Sequence, residues 1–293
     1  MSNLKDLLEK KIVEKRPKLG ASSIKTYLSI LTNIHKNLKG AGNIEWFSDS
    51  YKTILDYLEG MNEQTKKTNL SALYVLTEKD QYREIMMDVM KKVNDKYKEQ
   101  KLNVKQEENW MSIEEIQKKY DVLEEKATKM LSNKTIMNES VMMEFLLIAF
   151  LGGVSGLNPR RSLDYALMKI RNIDTKKDNY YKAGKFYFNK YKTDSTYGLQ
   201  VIDIPKPLDK LLKKWIKMNT NDYMLYSTNN NRLSSPQITR ILNKVFGIRV
   251  STNMLRHIYL TNVYKDVPAL EKMQKLAKSM GHSLETSLEY IKR

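Results

Sequence analysis

Cysteine is absent from this chain of 293 residues, which removes disulfide frameworks, thiolate metal sites and cysteine nucleophiles together. Histidine is nearly as scarce. His35, His257 and His282 are the full set, and they lie far apart, so little is available to build a metal centre and no metal or cofactor is expected. Long apolar runs are missing too. The most apolar stretch, residues 145–151, is far short of the roughly 20 residues a membrane helix needs. Glu144 and Gly152-Gly153 flank it, so it reads as a buried core helix. The start, Met1-Ser2-Asn3-Leu4-Lys5-Asp6, shows no apolar run behind a basic end, so no signal peptide is expected. An intracellular protein without a membrane partner follows as the expectation. No internal repeat is apparent, and Asn229-Asn230-Asn231 is the sole low-complexity tract.

What is abundant is positive charge. Lys and Arg number 51 against 34 Asp and Glu, a net charge of +17. A polyanionic partner fits this excess, as does a merely solvated lysine-rich face. Its distribution favours the partner. Residues 1–100 carry +4 and the remaining 193 carry +13, so the excess lies with the candidate functional residues.

The length allows two domains with full cores. Leu4, Leu7, Leu8 and Ile12 fall at helical spacing, and Pro17 stops that helix. Ser22-Ser23 offers an N-cap for a stripe of Ile24, Tyr27, Leu28, Leu31, Ile34 and Leu38 that closes at Gly40. Further amphipathic helices are expected around 51–58, 69–76 and 81–90, making residues 1–97 a helical, DNA-binding domain. The six lysines of residues 91–105 then suggest that the helix fades into an exposed basic linker, placed at 98–109. A linker of that kind can lie along a phosphate backbone, with Lys91, Lys92, Lys96, Lys98, Lys101 and Lys105 as contacts. A second domain, 110–293, opens with Ser112 and Glu115 spaced as a capping box. After helices through Leu157 the period changes to two in residues 179–182, 185–190 and 199–204, with turns at Ala183-Gly184 and Asp194-Ser195-Thr196. Ser235-Pro236 then caps a helix that stops at Gly247. The fold class is mainly α with a small antiparallel β-sheet in the C-terminal domain.

Four segments carry chemistry. They are Gly156-Leu157-Asn158-Pro159-Arg160-Arg161-Ser162-Leu163-Asp164, then Asn189-Lys190-Tyr191-Lys192-Thr193-Asp194, then Asn253-Met254-Leu255-Arg256-His257, and finally Met280-Gly281-His282-Ser283 with Tyr290 eight residues after His282. Side-chain cleavage of a phosphodiester needs a nucleophile, cations for the non-bridging oxygens, an acid for the leaving oxygen, and a group that orients the nucleophile. Arginine suits the cationic part because its planar fork is always charged and grips phosphate bidentately. Taken singly, each segment has a plainer reading. Arg160-Arg161 serves as a basic cap, His257 packs on its own helix, and Tyr290 is one of 18 tyrosines.

In this order the segments resemble the active site of the tyrosine recombinases, the phage-integrase-like site-specific recombinase family. The resemblance implies a two-domain DNA clamp, with a helical core-binding domain and an α+β catalytic domain. It matches Arg161, with Asp164 three positions later to orient it and Asp174 beyond, whereas Arg160 misses the register by one. It makes Lys192, with Lys190 as rival, the hairpin lysine that protonates the leaving 5′-oxygen. Arg256 becomes the second arginine. Asn253 stands where the family has histidine; it can donate to a phosphate oxygen but cannot shuttle a proton. His282 binds the scissile phosphate, and Tyr290 is the nucleophile, at a spacing one residue tighter than usual. Tyr259 and Tyr264, its rivals, are more simply core or interface residues.

The reaction implied is site-specific recombination or integration of double-stranded DNA through a 3′-phosphotyrosyl link, with no metal or ATP, by a homo-tetramer on two duplexes. Type IB topoisomerase-like cutting and religation, or a catalytically inactive DNA-binding descendant, are the alternatives. Relatives continue past the nucleophile into a segment that docks on the next protomer. This sequence ends at Arg293, which leaves open whether another element, such as the helix around 273–280, couples the protomers or a tail is missing. Heavy use of Lys, Asn, Ile and Tyr fits an AT-rich viral or mobile-element source.

Overall fold

The computed structural model describes residues 2–133, 138–280 and 283–289. The chain divides into two compact units, one of residues 1–101 together with 268–293 and the other of residues 102–267.

The first unit begins with α1 (Ser2–Lys15), α2 (Ala21–Asn37), α3 (Trp46–Asp49), α4 (Tyr51–Glu59), α5 (Glu63–Thr77) and α6 (Asp80–Lys98). The stripe read from α2 becomes a buried edge of Leu28, Leu31 and Ile34, which meets Leu8 and Ile12 of α1 and Leu70, Leu73 and Leu76 of α5. Burying such side chains at i, i+3, i+4 spacing stabilises each by about 1.5–3 kcal/mol, and this packing holds short helices together. Two boundaries differ from expectation. The start of α2 follows Gly20 with no side-chain cap, so Ser22-Ser23 lies inside the helix. And α6 continues to Lys98, because Val89 and Val93, one turn apart, extend its buried face past Met90. Lys91, Lys92, Lys96 and Lys98 therefore stand on a helix instead of an extended tether.

The second unit begins with α7 (Val104–Asn109), where Asn103 and Gln106 bond reciprocally as a capping box. The stretch 98–109 thus contains a short helix. Next comes α8 (Ile113–Asn133), with the expected box present: Ser112 N donates to Glu115 Oε2 at 2.7 Å and Glu115 N to Ser112 Oγ at 3.2 Å. Helix α9 (Glu139–Leu151) is buried from Phe145 to Leu151, as its uniform apolarity requires. Then follow α10 (Ser162–Ala166), β1 (Met168–Lys169), β2 (Asn179–Lys182), β3 (Lys185–Phe188), α11 (Asp194–Tyr197), β4 (Gln200–Asp203), α12 (Lys206–Met218), α13 (Ser235–Phe246) and α14 (Thr252–Val263). The cap of α13 is Ser234 with Gln237, one residue before the expected one, and its stop is Gly247. Finally α15 (Leu270–Ser279) and α16 (Leu284–Glu289) belong to the first unit, where Leu270 N donates to Gln100 Oε1 at 2.9 Å.

The sheet order is β1-β2-β3-β4. Its three period-two strands pair antiparallel as expected, and β1 adds a two-residue parallel edge, so the sheet is mixed. One face packs on α9. Phe186 and Phe188 of β3 surround Tyr165 of α10 edge-on, and Tyr165 stacks on Phe150 at 4.7 Å. This aromatic cluster fixes α10 against the sheet. No described helix is long and apolar enough to cross a membrane.

Candidate active site

The turn after α9 sets the site. Gly153 has φ +74°, and a Cβ there would collide with the ring of Tyr259 on α14, so this position demands glycine twice over. Tyr259 also donates its hydroxyl to Asn158 Oδ1 at 2.6 Å. Helix α14 is thereby fastened to the loop that leads into α10. As a rival nucleophile Tyr259 is already engaged, and Tyr264, 59% exposed at the end of α14, is not a core residue.

Arg161 is the N-cap of α10, with an extended backbone and no side-chain cap bond. Asp164 was expected to orient it. The carboxylate instead takes Arg160: Arg160 Nε donates to Asp164 Oδ2 at 3.0 Å, and Nη1 donates to Gln200 Oε1 of β4 at 2.6 Å. The guanidinium of Arg160 lies over the Phe188 ring at 4.1 Å and the Tyr191 ring at 5.1 Å. The extended step at Arg161 carries the preceding side chain over the sheet, where two rings and two oxygens wait for it. Arg160 is therefore a structural clamp between α10, β3 and β4.

Asp164 is only 2% exposed, and burial pushes its carboxyl above the ordinary carboxylate range. Three cations pull the other way. Arg160 is the strongest, and Arg161 and Arg256 act on the same carboxylate. Burial outweighs them, as an ion pair inside a protein often cannot repay full desolvation. What matters for chemistry is the shared field. The charges of Arg161 at the start of α10 and Arg256 on α14 both act on one buried carboxylate, and neither side chain has a hydrogen-bond or ion-pair partner among the described residues.

Lys192 lies in the connection between β3 and β4, exposed and without an ion pair among the described residues. Buried Asn179 ties that connection to α10. Its Nδ2 donates to the Asp164 carbonyl at 2.9 Å and to the Lys190 carbonyl at 2.8 Å, and its Oδ1 accepts from Lys190 N at 2.7 Å. The backbone beside Lys192 is thus brought to Asp164, while the side chains of Lys190 and Lys192 have no hydrogen-bond or ion-pair partner among the described residues. Asp174 stays in its own turn, accepting from Lys176 N at 3.0 Å.

On α14, Asn253 and Arg256 share a face at i, i+3. The Asn253 amide nitrogen sits 3.3 Å from His257 Nε2, an exposed pair one turn apart. His282 and Tyr290 lie outside the described residues. The six lysines are all exposed. Lys96 pairs with Glu63 at 2.6 Å, Lys98 with Asp95 at 3.0 Å and Lys101 with Glu99 at 3.2 Å; Lys91, Lys92 and Lys105 have no ion pair among the described residues. Sequence reasoning set Arg160 aside in favour of Arg161 and missed Asn179. A buried asparagine opening a strand was the signal for the second; nothing local marked the first over Arg161.

No protein-family model matches the chain, and no curated protein matches it. Among solved structures the chain is similar to XerH site-specific recombinase bound to difH substrate in a pre-cleavage complex, at 17% identity and a TM-score of 0.44 over 97% of this chain and 90% of that one. It is similar to a lambda integrase fragment, a dimer bound to a COC′ core site, at 14% identity and a TM-score of 0.43 over 92% and 91%. XerA recombinase matches at 16% identity and a TM-score of 0.34 over 96% and 91%. Each of these is a tyrosine recombinase.

Proposed function

We propose that the chain is a site-specific DNA recombinase or integrase that cuts and rejoins double-stranded DNA through a 3′-phosphotyrosyl link. The observation that supports this reading is that Arg161 and Arg256, two guanidiniums from separate segments, both act on the charge of Asp164 while their forks are unused among the described residues. Planar forks in that state suit the non-bridging oxygens of a phosphodiester as charge gathers on them. The Tyr290 oxygen attacks phosphorus as its proton passes to His282, the bond to the 5′-oxygen breaks, and Lys192 delivers a proton to that oxygen. Asn253 donates to the phosphate, and His282 also bonds the phosphate and steadies the nucleophile. The freed 5′-hydroxyl then attacks the phosphotyrosyl of a second strand, which returns the phenol. The ester is exchanged at nearly equal energy, and a homo-tetramer on two duplexes supplies the partner strand. Lys91, Lys92, Lys96, Lys98, Lys101 and Lys105 contact phosphates along the way.

Covalent trapping tests the reading. Nicked duplexes carrying candidate target sequences are incubated with the chain in chelator and compared with Tyr290→Phe on a denaturing gel. A chelator-resistant adduct that vanishes in the variant is expected. Relaxation of supercoiled DNA without strand exchange identifies a type IB topoisomerase-like activity instead. One observation favours a third outcome: Asn253 is paired with His257 and cannot move a proton. Tight DNA binding with no adduct on any target marks a recombinase-derived DNA-binding protein.

A further inference from the structure

The connection that carries Lys192 is closed on itself. Thr193 O accepts from Thr196 N and Tyr197 N at 3.1 Å each, and Asp194 O accepts from Gly198 N at 2.8 Å. Tyr191 N donates to the Asp194 carboxylate at 3.3 Å, and its hydroxyl donates to Gly198 O at 2.6 Å. Gly198 turns the chain with φ +63°, a conformation that a side chain would strain. The bonds of Asn179 to Lys190 secure the loop's entry. A segment so fully bonded has little freedom left to hide a side chain.

Yet it displays one. Tyr197 is 66% exposed and Leu199 54%, and the Tyr197 ring has no hydrogen bond or ring contact among the described residues. An exposed tyrosine on its own is ordinary. This one is held out by a densely bonded loop, between lysines that have no ion pair among the described residues and an apolar residue, in a connection that Asn179 ties to the backbone of Asp164. Cations for phosphate and a fixed aromatic for a base face are the two components of a nucleic-acid contact.

We propose that Tyr197 is a wedge that packs against a base step of duplex DNA next to the bond to be cut, while Lys190 of the same loop holds a neighbouring phosphate. The inference rests on the recombinase reading and adds a residue that positions the DNA. A ring against a base step explains why the loop is stiff, because a flexible one would fold the tyrosine back onto the sheet.

The test uses the full chain and a nicked AT-rich duplex in which every thymine is 5-iodouracil, so that no position of contact need be assumed. Ultraviolet crosslinks are mapped by peptide mass, and affinity is measured over a range of salt. The native chain crosslinks at Tyr197. Tyr197→Ala loses that adduct and binds about 5- to 150-fold more weakly at every salt concentration, with the salt slope unchanged, since no charge is removed. Tyr197→Phe keeps the affinity. Lys190→Ala lowers the slope by about 0.9. Tyr197→Ala binding as tightly as the native chain, or crosslinks that map elsewhere, overturns the wedge while leaving the recombinase reading standing. A native chain that binds no duplex at all defeats both. Thermal unfolding of the alanine variant separates lost contact from lost fold, with Tyr197→Phe as the second control.

Discussion

The lysine run of residues 91–105 and the arginine turn before α10 are both basic, and they differ in what holds the charge. On α6 and just past it, Lys98 reaches Asp95 within one turn and Lys101 reaches Glu99, each pair with both side chains more than half exposed. Such pairs contribute about 0–1 kcal/mol and are screened by salt. At the turn, Arg160 is half-buried against two rings with two oxygen partners, and the neighbouring Arg161 keeps its fork unused among the described residues. The fold consumes one arginine and leaves the next one available, and only the unconsumed charge can serve a ligand. The sharpest break of this contrast is Arg160→Ala, which strands the buried Asp164 carboxylate and should cost about 3–5 kcal/mol in urea unfolding. Arg160→Lys restores little of that, because an ammonium lacks the flat fork that spans Asp164 and Gln200. A loss below about 1 kcal/mol would mean that Arg160 is not the clamp.

Arg161→Ala and Arg256→Ala sharpen the same contrast from the other side. Neither side chain is bonded within the described fold, so unfolding should move by less than about 0.5 kcal/mol. Phosphotyrosyl formation on nicked DNA should fall about 10²- to 10³-fold in each, the usual effect of removing one donor from developing oxyanion charge. If either variant loses stability as Arg160→Ala does, it belongs to the clamp. Asn179→Ala comes next in size. It leaves the Asp164 and Lys190 carbonyls and the Lys190 N–H without their partner, at about 1–3 kcal/mol, and frees the Lys192 connection. Hydrogen exchange at Lys190 N should accelerate with it, and no change in that exchange would detach the loop from α10.

Much of this is legible in the sequence. The core helix at 145–151, the Ser112–Glu115 box, the turn at Ala183-Gly184 and the stop at Gly247 rest on spacing and on local chemistry, which sequence carries directly. The misreadings share a cause. Residues 91–98 look polar enough to melt, but Val89 and Val93 keep one face buried, and two valines a turn apart outweigh a lysine-rich surround. Asp164 lies three residues after Arg161 and four after Arg160, both helical neighbours by spacing. The choice fell to Phe188, Tyr191 and Gln200, which reach Arg160 only once the sheet is built. The two-residue strand β1 left no trace because its period is too short to count.

The smallest effects are expected on α6 and its extension, where they decide whether the lysines touch DNA at all. Lys96, Lys98 and Lys101 are paired and Lys91, Lys92 and Lys105 are not, but the pairs are exposed and weak, so a phosphate competes for all six. Single alanine variants should change unfolding by less than about 0.5 kcal/mol. Each that contacts a phosphate lowers the salt slope of DNA binding by about 0.9. If only the unpaired lysines lower it, the acidic partners are guarding the others and the phosphate track is half as long as proposed. If none does, the run is a solvated face, and DNA affinity must come from the second unit, where Arg161 and Arg256 keep their forks unused among the described residues.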